Sequence, residues 1–242
     1  MKNQILNKLT DAVFPQNETC DVCLEELPYK TRLNLCSSCL EKLPFNDKKV
    51  CLCCGAPMDN EADYCLRCMD TKRSFDKCRS VFVYEGLAKK VLLSFKYGEK
   101  KYLKSLLAKL MTDKYLSERF EADVVTFVPM TKKEQRKRGY NQSELLAKEI
   151  ADSLSLECCP SLEKVKESPE QKSLSAKERA KNLEGVFSCS DMKVKGKKVL
   201  LVDDVFTTGA TANECAEALL RAGATNVLVL TACVTALKPY MA

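Results

Sequence analysis

Two adjacent carboxylates, Asp203 and Asp204, close the apolar run of VLLVDDVFTTGAT at residues 199–211. They stand directly before a loop of small and hydroxylated residues, Thr207, Thr208, Gly209, Ala210 and Thr211. A buried strand, such a loop and then a helix form an anion cradle. Backbone N–H groups and the positive end of the helix point at the ligand, glycine permits close approach, and threonine adds hydroxyl donors. The twin acids would repel a bare phosphate. A ribose phosphate satisfies both features, with vicinal hydroxyls donating to Asp203 and Asp204 and the 5′-phosphate lying in the loop. The plainer alternative is a solvated acidic turn that caps the next helix. No Walker A pattern occurs, which disfavours nucleoside triphosphate hydrolysis.

Cysteine is the second chemical resource. The chain has 15 cysteines and no histidine, so any metal site is thiolate or carboxylate, and the commonest general base is missing. An odd count with no secretory h-region speaks against a disulfide framework and for a reducing, cytoplasmic setting. Four CxxC pairs, Cys20/Cys23, Cys36/Cys39, Cys51/Cys54 and Cys65/Cys68, are separated by twelve, eleven and ten residues. Each CxxC turn offers two thiolates to one tetrahedral zinc, and a second pair closes the shell. One or two structural Zn²⁺ ions are expected. Sequential pairing is favoured; a cross-braced arrangement would join the first pair to the third. Cys53 lies inside the third pair as a bystander, and Cys215 and Cys233 read as small core hydrophobes.

The elements that must position these groups follow from periodicity. Ten of the 15 cysteines precede residue 79, and this shift predicts a zinc-knuckle domain at 1–75 and a second domain at 76–242. From residue 79 onward apolar runs alternate with amphipathic segments. Strands are expected at SVFVYEG, DVVTFVPM, KKVLLVDDVF and NVLVLTACVTAL. Helices are expected at LAKKVLLSFKY, YLKSLLAKLMTDKYLSERF, NQSELLAKEIADSLSL and TANECAEALLRAGA. The fold class is α/β, a mostly parallel sheet covered by helices on both faces. Ligands of such sheets bind beyond the carboxyl ends of the strands. Two loops sit there, the one after Val202 and the one after Val128.

That second loop is strongly basic: KKEQRKR, residues 132–138, carries five positive charges and one negative. It suits a pyrophosphate or a nucleic-acid backbone, and a solvated charged loop is the alternative. The net charge of +6 permits an anionic partner without requiring one. No apolar run approaches a membrane span. Ile5, Leu6, Leu9 and Val13 outline a short amphipathic helix that reads as packing. Tyr29, Phe45 and Tyr64 are the aromatic candidates for base stacking, and core or turn packing is their commoner use.

VLLVDDVFTTGAT resembles the thirteen-residue signature of type I phosphoribosyltransferases. Together with the four CxxC pairs, FVPMTKKEQRKRGYNQSELLAKEI (residues 127–150) and SPEQKSLSAKERAKNLEGVF, it resembles the ComF family across residues 18–235, with Tyr140 where that family has Phe. The resemblance implies a type I phosphoribosyltransferase-like domain that binds phosphoribosyl pyrophosphate with Mg²⁺. It implies that Asp203 and Asp204 hold the ribose hydroxyls and that residues 207–211 hold the 5′-phosphate. Arg136, Arg138 and Gly139 are expected at the pyrophosphate, with Asn141 and Gln142 capping the next helix or touching the ligand. Residues 165–186, including Gln171, Lys172, Arg179 and Asn182, correspond to a flexible hood. Position 207 is Thr where 6-oxopurine salvage enzymes carry an Asp, so the acceptor is unidentified. The family context implies cytoplasmic handling of single-stranded DNA during natural transformation, with competence-machinery proteins as partners. An active phosphoribosyltransferase with an unknown nitrogenous acceptor is the alternative.

Overall fold

The structure is a computed structural model that describes residues 19–28, 31–98, 100–165 and 185–236. The expected N-terminal helix, Tyr29 and the hood residues Gln171, Lys172, Arg179 and Asn182 lie outside the described residues. The chain forms two compact units, Met1–Leu43 and Pro44–Ala242.

In the first unit the polypeptide turns tightly at Cys20–Glu25, where the Cys20 amide donates to the Glu25 carbonyl (2.8 Å) and the Leu24 amide to that of Cys20 (2.8 Å). The short helix α1 (Ser37–Lys42) starts at Cys36, whose sulfur accepts from the Cys39 amide at 3.4 Å. With so little apolar surface to bury, metal must carry much of this unit's folding energy.

The second unit begins with the other cysteine quartet and the five-residue helix α2 (Leu66–Asp70). Chain order then runs β1 (Lys77–Val83), α3 (Gly86–Tyr97), α4 (Leu103–Ser117), β2 (Val124–Phe127), α5 (Lys132–Arg138), α6 (Gln142–Leu154) and β3 (Glu157–Cys158). It continues with β4 (Leu162–Lys164), β5 (Phe187–Cys189), β6 (Lys198–Phe206), α7 (Ala210–Arg221) and β7 (Asn226–Val234). The main sheet has the order β1-β7-β6-β2-β3 with every neighbouring pair parallel. Helices α3 to α7 occupy the crossovers that parallel neighbours demand.

Burial explains why the apolar runs become central strands. Val199 and Leu201 share a core with Ala212, Cys215, Ala216 and Leu219 of α7. The intervening Leu200 and Val202 are equally enclosed, so both faces of β6 are covered. Leu146 and Ile150 carry the buried stripe of α6; each fully buried side chain of this size contributes roughly 1.5–3 kcal/mol. Cys78, Cys215 and Cys233 are buried among these apolar groups, and burial pushes the Cys233 thiol up to about 12. The two-residue strand β3 gives Cys158 and Cys159 a place. Cys158 aligns with Val125, and the Cys159 amide donates to the Val125 carbonyl at 2.9 Å.

The twin acids lie within β6, as the expected strand KKVLLVDDVF has them, and the loop opens after Phe206 and not after Val202 because β7 keeps pairing, Asp203 beside Thr231 and Phe206 beside Val234. A second feature departs further from expectation. The basic segment is not a loop but helix α5. Thr131 accepts from the Glu134 amide, and Glu134 accepts from the Thr131 amide at 2.7 Å, a complete capping box. Gly139, at φ 85°, terminates it in the left-handed conformation that glycine tolerates. The ends of the expected hood are fixed by the antiparallel β4–β5 ladder, extended by the Val165 amide donating to the Val186 carbonyl (2.8 Å).

The second cysteine quartet is built onto β1. The amides of Asn46, Val83 and Cys78 exchange backbone bonds with Val81, Pro44 and Cys53 at 2.7–2.9 Å. Phe45 packs on Phe82 with centroids 4.9 Å apart, as core packing rather than a stacking platform. Buried Arg79 donates to the carbonyls of Leu52 (3.1 Å) and Cys78 (2.7 Å) and pairs with Glu118 at 2.9 Å.

Candidate functional site

Both candidate centres lie where the fold turns its polar groups inward. Consecutive residues of a strand project to opposite faces, and the two carboxylates of β6 find different partners. Asp203 Oδ1 accepts from the Ser143 hydroxyl (2.8 Å) and from the Asp204 amide (2.8 Å). Burial, and then the charge of Asp204, push the Asp203 carboxyl up to about 7, against the pull of these donors and of Lys96. Asp204 Oδ1 pairs with Lys96 Nζ at 2.8 Å, both side chains mostly enclosed. Burial opposes the charge on Lys96, but Asp204 outweighs it and holds the ammonium above its usual value.

Lys96 and Ser143 were not legible in the sequence. Lys96 falls on the polar side of an amphipathic helix, where a solvated lysine is the ordinary reading. Its partner lies 108 positions further on, as the numbering of Lys96 and Asp204 gives. Nothing local signals such a pair.

The loop after β6 has its carbonyls tied back. Thr207 O accepts from Arg67 (3.0 Å) and from the Thr235 hydroxyl (3.4 Å), and Thr208 O accepts from Arg73 (3.0 Å). Phe206 O accepts from the Thr235 amide at 3.0 Å, and Gly209 O from the Asn213 amide at 2.9 Å. Among the described residues the amides of Thr207, Thr208, Gly209 and Thr211 have no protein partner, and that of Ala210 meets only the Thr208 hydroxyl at 3.4 Å. Four donors thus stand open at the start of α7, where the helix dipole favours an anion, and the Ala210 amide is held only by its long bond to the neighbouring hydroxyl. Gly209, at φ 80°, caps this helix. A Cβ there would run into the Phe206 ring, which stacks edge-on against Phe75 at 5.9 Å.

The structure divides the residues expected at the pyrophosphate. Arg136 is exposed, and with Gly139, Lys132 and Gln135 it borders a shallow cavity of ≈ 350 Å³. Arg138 instead donates to Gln142 Oε1 (2.8 Å) and Tyr97 Oη (3.2 Å) and lies over the Tyr97 ring at 5.0 Å. Gln142 passes the connection to the Lys96 carbonyl at 3.4 Å. Asn141 caps α6 through the Ser143 amide and donates to the Val128 carbonyl (3.0 Å). Asn141 and Gln142 are 5% and 1% exposed; Asn141 ties the start of α6 to the end of β2, Gln142 ties it to the end of α3, and neither offers a free face.

The sulfurs of Cys20, Cys23, Cys36 and Cys39 lie within 4.8 Å of one another, and so do those of Cys51, Cys54, Cys65 and Cys68. This is the sequential pairing. Four thiolates converging this closely suit one tetrahedral Zn²⁺ with Zn–S bonds of about 2.3 Å and leave no open position for catalysis. Both quartets therefore fit structural zinc. Cys53 belongs to neither.

The double zinc ribbon domain family matches residues 9–69, and the phosphoribosyl transferase domain family matches residues 141–239. The chain is 31% identical over 198 residues to the DNA utilization protein YhgH of Salmonella typhi, covering 78% of this chain and 86% of that protein. It is 30% identical over 187 residues to competence protein F of Haemophilus influenzae, covering 73% and 80%. It is 31% identical over 153 residues to competence protein ComFC of Bacillus subtilis, covering 60% and 58%.

Proposed function

The chain belongs to the ComF family of competence and DNA-utilization proteins, and from that premise we propose that it binds phosphoribosyl pyrophosphate while handling single-stranded DNA on the cytoplasmic side of the membrane during natural transformation. The Cys-rich residues 1–75 and the transferase-like residues 76–242 act as its two functional parts. Competence-machinery proteins are its partners. Among the described residues no helix is long and apolar enough to cross a membrane.

The observation that carries the ligand reading is the pairing of four open amides with two adjacent carboxylates at one strand end. Asp203 and Asp204 accept from the ribose hydroxyls. Thr207, Thr208, Gly209, Ala210 and Thr211 enclose the 5′-phosphate, and Arg136 with Gly139 meets the pyrophosphate, held in place through Arg138, Asn141 and Gln142. Mg²⁺, when bound with this ligand, would supply charge neutralisation of the pyrophosphate that Arg136 and Gly139 face. Gln171, Lys172, Arg179 and Asn182 close over the ligand. Lys96 must leave Asp204, or turn toward the ligand's negative charge, as the ribose hydroxyls engage.

Calorimetric titration with magnesium phosphoribosyl pyrophosphate tests this. Asp203→Ala combined with Asp204→Ala should abolish binding while the thermal transition is retained. Undiminished affinity in that variant rejects the site.

A second reading, transfer of ribose 5-phosphate to a nitrogenous acceptor with release of pyrophosphate, is favoured by one observation. The Asp203 carboxyl is pushed up to about 7, which suits an acid or base at neutral pH. Pyrophosphate release across a panel of nitrogenous acceptors separates the two readings.

A further inference from the structure

Two of the loop carbonyls, those of Thr207 and Thr208, draw donors from far along the chain: Arg67 and Arg73, 140 and 135 positions away, with the Thr235 hydroxyl also at Thr207 O. Arg67 stands between two cysteines of the second quartet, Cys65 and Cys68, on α2. Arg73, five residues beyond Cys68, donates to Thr208 O at 3.0 Å. The adjoining residue completes a clamp. The Ser74 amide donates to Asn213 Oδ1 (2.8 Å) and its hydroxyl to Glu217 Oε1 (3.2 Å), both on α7.

Two physical consequences follow. In a trans peptide the carbonyl of one residue and the amide of the next point in opposite directions. Drawing Thr207 O toward Arg67 and Thr208 O toward Arg73 therefore turns the amides of Thr208 and Gly209 away from the ribbon and into the open cradle. The second consequence is charge. Among the described residues neither guanidinium pairs with a carboxylate, and Arg67 Nη2 and Arg73 Nε are buried atoms without a partner. Two partly enclosed cations standing behind a loop make its front more favourable for an anion.

We propose that Arg67 and Arg73 are positioning residues that make the second four-cysteine site a working part of the anion cradle, so that metal held by Cys51, Cys54, Cys65 and Cys68 sets the loop for its phosphate ligand. The inference rests on reading residues 207–211 as that cradle. A ribbon of this kind is more than a folding aid, because its ligand spacing fixes where Arg67 points.

Amide hydrogen exchange on the zinc-loaded full chain, read together with metal content and calorimetric binding of magnesium phosphoribosyl pyrophosphate, tests it. In Arg67→Gln/Arg73→Gln, exchange should accelerate at residues 207–211 while the core of β6 and β7 stays protected and both zincs remain. Affinity should fall about tenfold, the value of a lost hydrogen bond from a charged donor. Arg67→Lys/Arg73→Lys, which keeps charge and one donor at each position, should recover most of that loss. Cys65→Ser, which opens the second quartet, should accelerate the same loop residues. Unchanged exchange at 207–211 in the double glutamine variant overturns the proposal. So does acceleration spread evenly over the sheet. If the wild-type chain binds no phosphoribosyl pyrophosphate, the ligand reading fails, and the exchange pattern still decides whether the ribbon sets the loop.

Discussion

Asp203 and Lys96 set the chemistry of the site at the scale of single residues, and both carry testable electrostatics. A carboxyl raised from its usual 3.8 to about 7 in the fold retains a proton that the unfolded chain has released. Stability therefore falls as pH rises through that window, and the loss is complete above it. Asp203→Asn should remove this penalty. Thermal unfolding at pH 8 should rise by at least about 2–4 °C, the shift of 1 kcal/mol in a chain of this size, with no gain at pH 4. An equal gain at both pH values would show that the carboxyl charge is not the cause. Lys96→Ala should destabilise the ligand-free chain at pH 7, because it strands Asp204 without a counter-charge; an unchanged melting temperature would contradict that. The twin acids and the loop could be read from composition alone, because their residue types sit side by side. Lys96, Ser143, Arg67 and Arg73 could not. Each meets its partner across 60 or more positions, and only the fold creates the pair.

Helix α5 carries the lesson at the scale of elements. KKEQRKR offers no apolar period, so hydrophobic patterning reads it as loop. Its start signal, Thr131 followed three residues later by Glu134, was nonetheless present in the sequence. The capping box and the glycine after Arg138 make a helix of a segment with no buried side chain. β6, by contrast, was legible. Its expected span, KKVLLVDDVF, already took in the acids, and pairing with β7 carries the strand through them to Phe206. A helix that lacks a core face depends on its caps. Thr131→Ala should cost this element about 1 kcal/mol, read as faster amide exchange confined to residues 132–138. Because α5 aligns its cations on a fixed frame, Arg136→Glu with Lys137→Glu should weaken single-stranded DNA binding. Its salt dependence should flatten by about 0.7 in log–log slope for each phosphate no longer neutralised. An unaltered slope would move the nucleic-acid interface elsewhere.

At the scale of the whole molecule, the two zinc quartets play unequal roles. The first belongs to the small unit ending at Leu43, whereas the second lies within the core that includes α7. Cys23→Ser should therefore unfold the first unit and leave the main transition in place, and Cys54→Ser should lower the main transition. Calorimetry with metal analysis distinguishes them, and a common loss in both variants would contradict this division. The alternating order of strands and helices was evident from apolar runs. The way the second ribbon merges with the sheet was not, because backbone pairing to Asn46, Pro44 and Cys53 has no side-chain signature. That pairing has a consequence for the metal-starved cell. β1 is a seven-residue border strand with five buried positions, and the ribbon is what occupies its outer rim. Stripping zinc bares a long apolar template for strand addition, so the apo chain should gather into β-rich aggregates instead of lingering as an inert monomer.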